Sequence, residues 1–394
     1  MRVALVHHRV GLTGSLERYT AFLAAALLGL GVEVHLYTNP DASDLSACAA
    51  AILHGVRPLT AGGNRLTRAA ERLSFARGAT EALRRDRARL GLDVVDVSGT
   101  SAWAHDVVTV HAVSRAEQDR DLALVGPGIA AALRVELTPL LRPQVGVVQG
   151  IERRQLRPGR FRRVIAVTPE VRDDVMRVHG VPAAAIDVVP YPIDLARFAD
   201  DTPADRRALG LPDDEPVLLF VGHDFERKGL GALIRALPGL EPRATLAVAG
   251  DGDRGPYEAL ARSLGVADRV RFLGSTARPD RLYRAADVFV LPTVRDVWGM
   301  TIVEAMAAGI PVVTTRGAGA ASEVEAAEAG AVLPGPDPAA LRDALARLLA
   351  DPGARSAAGE RGRRAAARFG TEEHARAVLA TYERALRARQ TRAA

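Results

Sequence analysis

The chain has 394 residues, 48% of them hydrophobic, a single cysteine and a formal charge of +5. That length exceeds the roughly 250–300 residues at which one hydrophobic core stops growing, so two domains are expected. A lone Cys48 excludes an internal disulfide framework and a cysteine-built metal site, and 4% aromatic residues with no recognition module argue against a nucleic-acid partner.

The opening strand "RVALV" runs into the loop "HHRVGLTG", which is not the pattern of a secretory signal. The longest apolar stretch near it, Ala21–Leu30, is about half of what a bilayer-spanning helix needs. A cytoplasmic protein is the expectation. "SLERYTAFLAAALLGLG" reads as a helix stopped by Gly29 and Gly31, and "VEVHLYT" as the next strand, so a βαβ unit opens a parallel sheet. "DVVDVS", "DVVTVHA", "RVIAVTP" and "IDVVP" continue that sheet, with the helix "PEVRDDVMRVHGVP" between the last two. "RLTRAAERLSFARGATEALRRDRARL" is arginine-rich with apolar residues at helical spacing, which describes a solvated helix face. If that stretch or "ERRQLRPGRFRRV" is functional, it would meet an anionic membrane surface or a phosphorylated acceptor.

"DLARFADDTPADRRALGLPDDEP" is acidic, holds three prolines and has little strand character, which marks a boundary near Tyr191–Asp214. Domains of 1–195 and 196–371 follow, with a final helix, about 372–394, expected to pack back on the first. "VLLFVG" restarts the alternation, and "ATLAVAG", "RVRFLG", "DVFVLP" and "IPVVTT" continue it between helices. Strands that are continuously apolar rather than alternating have both sheet faces covered. The fold class expected is therefore α/β, two doubly wound Rossmann-like domains facing across a cleft, with ligands beyond the carboxyl ends of the strands.

The segment "PTVRDVWGMTIVEAMAAGIPVV" holds the densest chemistry. A strand ends at Pro292, Asp296 lies in the loop, and Gly299 precedes a helix that carries Glu304. Amides at Gly299, Met300 and Thr301 would form an anion site at the positive end of the helix dipole. Asp296 and Glu304 could then grip hydroxyls on either side of bound phosphates; the plainer alternative is a pair of acids that stabilise the dipole. Arg227 and Lys228 follow "VLLFVG" and are placed to open the next helix. Lys228 is the only lysine of the chain. A departing diphosphate needs charge stabilisation from a metal or from fixed cations. No metal cluster stands out, so the two cations would carry that load, lysine as a compact point charge. The alternative is the chance survival of one lysine codon.

These segments resemble the family 4 glycosyltransferases, which have the GT-B fold. "VWGMTIVEAMAAGIPVV", with Asp296 and Glu304, is similar to the family's E-x(7)-E signature, and "VGHDFERKGL", "VAGDGDRGPYEALARSLG", "RVRFLGSTARPDRLYRAADVFVLPT" and "VVPYPIDLARF" match family positions in order. The spacing of "GHDFERKG" looks most like the branch that includes lipopolysaccharide core glucosyltransferases. The resemblance implies retaining transfer of a hexose from a nucleotide diphosphate sugar, UDP-sugar foremost, with no cofactor and no metal. The acceptor would be a sugar, a glycolipid or a small natural product. It also implies that Asp296 grips donor-sugar hydroxyls, Glu304 binds the ribose, and Arg227 and Lys228 hold the diphosphate. His223 stands where many members have arginine, and Arg271 and Phe272 where the backbone meets the base. "GSLE", with Gly14 and Ser15, is similar to the family's Gly-Gly-x-Glu loop, and His111 takes the position of the active-site histidine that bonds the transferred sugar. Three positions depart from the pattern: Ser15 for glycine, Asp296 for glutamate, and Tyr191-Pro192 for Asn-Gly. Those at Ser15 and Asp296 keep a non-catalytic sugar-nucleotide binding protein open, and a nucleotide-sugar epimerase on the same fold is the nearest enzyme alternative.

Other signals carry less. Asp251 and Asp253 in "GDGD" are read as a tight turn rather than a metal-binding Asp-x-Asp. His7 and His8 end the first strand and are read either as structural or as bordering the cleft, His179 is read as structural, and Cys48 as serving packing.

Overall fold

The computed structural model describes every residue except 12–13, 61–63, 124–141, 201, 203, 277 and 394. It divides into two compact units, Met1–Pro192 with Thr371–Ala394, and Ile193–Gly370.

The first unit is built on a parallel sheet of β1 (Arg2–Val6), β2 (Glu33–Thr38), β3 (Ile52–Gly55), β4 (Val94–Ser98), β5 (Val107–Val110), β6 (Arg163–Ala166) and β7 (Ile186–Val188), in the order β3-β2-β1-β4-β5-β6-β7. The second has β8 (Val217–Val221), β9 (Thr245–Ala249), β10 (Val270–Gly274), β11 (Val288–Leu291), β12 (Val312–Thr315) and β13 (Gly330–Leu333), ordered β10-β9-β8-β11-β12-β13. Both are doubly wound α/β sheets. Chain order reverses between β1 and β4 in one and between β8 and β11 in the other. At such a switch point the loops leave in opposite directions and open a crevice beyond the strand ends.

The central strands β4, β5, β9, β11 and β12 are buried along their whole length, as strands covered on both sheet faces are; the polar residues they carry, Asp96 among them, are buried with them. Edge strands β3 and β13 escape the sequence reading. Ile52 and Leu53 in β3 are 46% and 44% exposed, so one flank packs and no sustained apolar pattern arises. Cys48, expected in a helix-like run, lies in a single 3-10 turn, Ser46–Cys48, and is buried, which raises its thiol pKa.

The arginine-rich stretch forms the helix Arg65–Leu90. Asn64 caps it by accepting the amides of Leu66 and Thr67 (3.0 and 3.0 Å), and Gly91, at φ +64°, ends it. Its inner stripe of Phe75, Ala79 and Leu83 packs against Val6, Tyr37, Val95 and Val97. Truncating a buried phenylalanine such as Phe75 to alanine costs about 3–5 kcal/mol. The last helix, Thr371–Ala393, buries Ala375, Val378, Tyr382 and Ala385 at helical spacing and belongs to the first unit. Its Tyr382 Oη donates to Asp96 Oδ2 in β4 (2.7 Å). Among the described residues no helix is long and apolar enough to cross a membrane.

Candidate functional site

In the second unit, residues that the sequence singled out gather at the switch point. Gly229 has φ +81°, and a Cβ there would lie 2.0 Å from Pro292 O, so only glycine lets the loop after β8 touch the loop after β11. Thr293 Oγ1 and Val294 N both donate to Arg227 O (3.0 and 2.8 Å), which fastens the two loops. This seats Lys228. Its stem lies over Gly222, where a Cβ would come within 3.3 Å of Lys228 Cγ, and its Nζ donates to Asp296 Oδ2. The two side chains are 13% and 17% exposed. Arg227 is more open, held by Asp224 Oδ2 (3.0 Å) and Arg295 O (2.6 Å). One expectation needs correction: Arg227 and Lys228 do not open the next helix. That helix is Leu230–Ala236, and the left-handed Gly229 separates it from the turn that holds the two cations.

Asp296 is fixed through its backbone. Its N–H donates to Gly317 O (2.8 Å), and its carbonyl accepts from Gly319 N (2.9 Å). A Cβ at Gly319 would lie 1.9 Å from Val297 O, so the glycines of "GAGA" allow the approach; sequence reasoning passed over that run. Gly299, at φ +87°, starts the helix Met300–Ala307 without a side-chain cap. Met300 is buried, and Thr301 Oγ1 is a buried hydroxyl with no partner among the described residues. Glu304 is also buried and accepts from Tyr283 Oη (2.9 Å). Tyr283 carried no sequence signal beyond its place on an apolar helix face.

Around this centre, His223 Nδ1 pairs with Asp251, and that hydrogen bond holds the Asp251 carboxyl below its usual range. Asp253 Oδ1 accepts Gly255 N (3.1 Å) in a turn. Arg271 and Phe272 are not drawn into the Lys228–Asp296 pair. They lie on edge strand β10, Arg271 exposed and Phe272 against Phe225 (ring centroids 6.3 Å).

The first unit's switch point borders a 750 Å³ pocket whose lining includes His7, His8, Arg68, Arg72, Gly99 and His111. Gly14 has φ +83°, and a Cβ there would come within 2.3 Å of Glu17 Oε2. Ser15 begins the helix Ser15–Gly29; its side chain lies outside the described residues. Burial lowers the pKa of His7 and takes that of His8 to about 4. His179 Nε2 bonds Glu152 Oε1 (2.9 Å).

His111 is buried, and both ring nitrogens are engaged: Nε2 with Ser98 Oγ (2.8 Å) and Nδ1 with Tyr191 Oη (2.8 Å). Burial, then His7 and His374, push its pKa down to about 3, so the ring is neutral at physiological pH. Ser98 gave no signal in sequence. Tyr191 did, as a departure from the family pattern with no role attached.

Two doubly wound, parallel-sheet Rossmann-like domains define the class by its architecture: the GT-B fold. Family models agree and place the chain further. Residues 16–197 match Glycosyltransferase Family 4 and residues 201–365 match Glycosyl transferases group 1. Both models describe glycosyltransferases, and together they span most of the chain. It is 37% identical over 246 residues to the D-inositol 3-phosphate glycosyltransferase of Xylanimonas cellulosilytica, a match that covers 58% of this chain and 58% of that protein. The chain thus spans little more than half the length of that curated relative. Among solved structures, WaaG, a glycosyltransferase involved in lipopolysaccharide biosynthesis, matches with TM-score 0.75 and 23% identity over 96% of this chain and 98% of that one. Anabaena Alr3699/HepE in complex with UDP matches with TM-score 0.71 and 17% identity over 97% and 99%. These matches to transferases do not favour an epimerase or a non-catalytic binding protein.

Proposed function

We propose that the protein is a retaining, metal-independent hexosyltransferase that uses a UDP-sugar. The observation that carries this reading is the Lys228–Asp296 pair, set beside the uncapped start of the helix Met300–Ala307. A cation beside the positive end of a helix suits a diphosphate. A carboxylate suits the hydroxyls of the sugar attached to it. The Anabaena neighbour solved with UDP-glucose supports the donor class.

In this reading Lys228 exchanges Asp296 for the diphosphate when donor binds, which frees the carboxylate for a sugar hydroxyl. Arg227, His223 and the amides at Gly299, Met300 and Thr301 complete the phosphate cradle. Glu304 takes the ribose, and the backbone at Arg271 and Phe272 takes the base. The bond from the anomeric carbon to the diphosphate oxygen breaks, and the acceptor oxygen bonds that carbon on the same face. The acceptor proton passes to the departing phosphate oxygen. Gly14 and Ser15 border the phosphates, and His111 bonds the transferred sugar. The acceptor, a sugar, glycolipid or small natural product, binds in the first unit's pocket.

The test is incubation with UDP-glucose, UDP-galactose, UDP-N-acetylglucosamine and GDP-mannose and a panel of neutral and phosphorylated polyols. Mass spectrometry would follow products, and NMR the anomeric configuration. Release of UDP with an α-linked product is expected. An inverted linkage would end the retaining reading, and interconversion of donors without transfer would end the transferase reading.

A further inference from the structure

We infer that Tyr191 is a positioning residue that holds His111 in its Nε2–H tautomer, with Ser98 as the resting acceptor of that proton. The inference rests on the reading that His111 serves sugar transfer, and it assigns work to a residue that departs from the family pattern.

The geometry runs outward from the imidazole. Nδ1 and Nε2 are each 2.8 Å from a hydroxyl oxygen, Tyr191 Oη and Ser98 Oγ. A neutral imidazole has one donor and one acceptor nitrogen, so one hydroxyl must donate to it and the other must accept. A phenol is far more acidic than an aliphatic alcohol and is the better donor. Tyr191 Oη–H therefore donates to Nδ1, and Nε2–H donates to Ser98 Oγ. The pKa of His111, held at about 3, keeps the doubly protonated ring out of the account.

The two partners differ in how firmly they are held. Tyr191 is buried and stacks on His111 with ring centroids 5.5 Å apart and 27° between planes. Tyr19 meets both rings edge-on, at 4.9 Å from His111 and 5.6 Å from Tyr191. The segment that carries Tyr191 is tied from behind, where His374 Nδ1 donates to Pro190 O (2.8 Å) from the last helix. Ser98 ends β4, and the next residue, Gly99, lines the pocket and faces His111 Cδ2, on the Nε2 edge of the ring. The Nε2 edge thus borders the pocket, while the Nδ1 edge is clamped in the core. A sugar hydroxyl can replace Ser98 at Nε2–H with the Tyr191 bond intact. An asparagine at position 191 would have neither a ring to stack on His111 nor a hydroxyl to donate to it.

The test combines spectroscopy with a mutant cycle. Two-bond proton–nitrogen correlation spectra of protein labelled with 15N-histidine should show His111 as the neutral Nε2–H tautomer. An Nδ1–H or mixed pattern in the wild type overturns the proposal, whatever happens to any variant. Tyr191→Phe keeps the ring and loses the hydroxyl. It should mix the tautomers and lower kcat at least tenfold with donor KM within about twofold. In a His111→Ala background the same change should have no further effect on kcat. Wild-type kcat in Tyr191→Phe, or additive losses in the double variant, would sink the positioning role. Full activity in His111→Ala would instead sink the role of His111 in transfer, a failure of the functional reading.

Discussion

The two switch points share a topology and differ in what they offer a ligand. In the second unit, backbone meets backbone at Gly229, Gly317 and Gly319, and the side chains that meet there are charged, Lys228 against Asp296 and the more open Arg227 beside them. In the first unit the strand ends are filled by large neutral groups, His111, Tyr191, Tyr19 and His374, bonded or stacked on one another. The same crossover rule thus makes a site that answers charge in one place and one that aims neutral hydrogen bonds in the other. Residue size decides between them. Glycine lets loops close up around a charge pair, whereas aromatic rings exclude water and strip charge from any titratable group they bury.

The largest expected effect comes from removing the charge in the second unit. Lys228→Ala should lower kcat by about 10²–10³ with the fold intact, the range for loss of one preorganised transition-state contact. Lys228→Arg should recover little, because a planar guanidinium does not match a stem laid over Gly222 with its head on Asp296. Steady-state kinetics with UDP-glucose and a melting curve check both; a fully active arginine variant removes the special place given to lysine.

The next largest is a pH effect confined to the first unit. Burial raises the Asp96 pKa to about 6, above the usual carboxyl value. The folded state then holds the proton more tightly than the unfolded state. Stability from this group is complete below about pH 4 and is lost as pH rises through 6, by about 3 kcal/mol. His105 and His374 go the other way. Burial lowers each to about 4, so their contribution is complete above about pH 6.5 and is lost as pH falls towards 4. Asp96→Asn should therefore gain on wild type in urea unfolding as pH rises from 4 to 7, and a constant difference across that range would contradict the sign. Hydrogen exchange should show the first unit responding in this window, while the second unit, whose shifted carboxylates all lie lower, changes only in stronger acid.

A smaller effect separates the two carboxylates of the second unit. Asp296→Asn should change the ratio of kcat/KM for UDP-glucose and UDP-galactose by about tenfold, because a site built to bond one hydroxyl penalises its misplacement. Glu304→Gln should weaken both donors about equally, since the ribose is common to them. The reverse pattern would exchange the two roles. The smallest expected effect is none: excess chelator should leave the rate unchanged if, as proposed, Lys228, Arg227 and the helix amides carry the diphosphate charge. Strict dependence on magnesium or manganese would return Asp251 and Asp253 to consideration.

Much of this was legible in one dimension. Unbroken apolar runs separated by helical periods specify buried parallel strands, because a strand covered on both faces has no polar side to show. The run from Pro292 to Glu304 announces a strand, a glycine and a helix start, and those features alone point to the proposed anion site. What the sequence could not determine is who meets whom at a distance along the chain. That Lys228 bonds Asp296, 68 positions away, follows from the crossing of two loops at Gly229 and Pro292. That Tyr191 holds His111, 80 positions away, follows from a strand end and the last helix closing around the same ring. Local propensity and burial pattern are written residue by residue, but the pairing of polar groups depends on backbone approach, and that exists only once both sheets are folded.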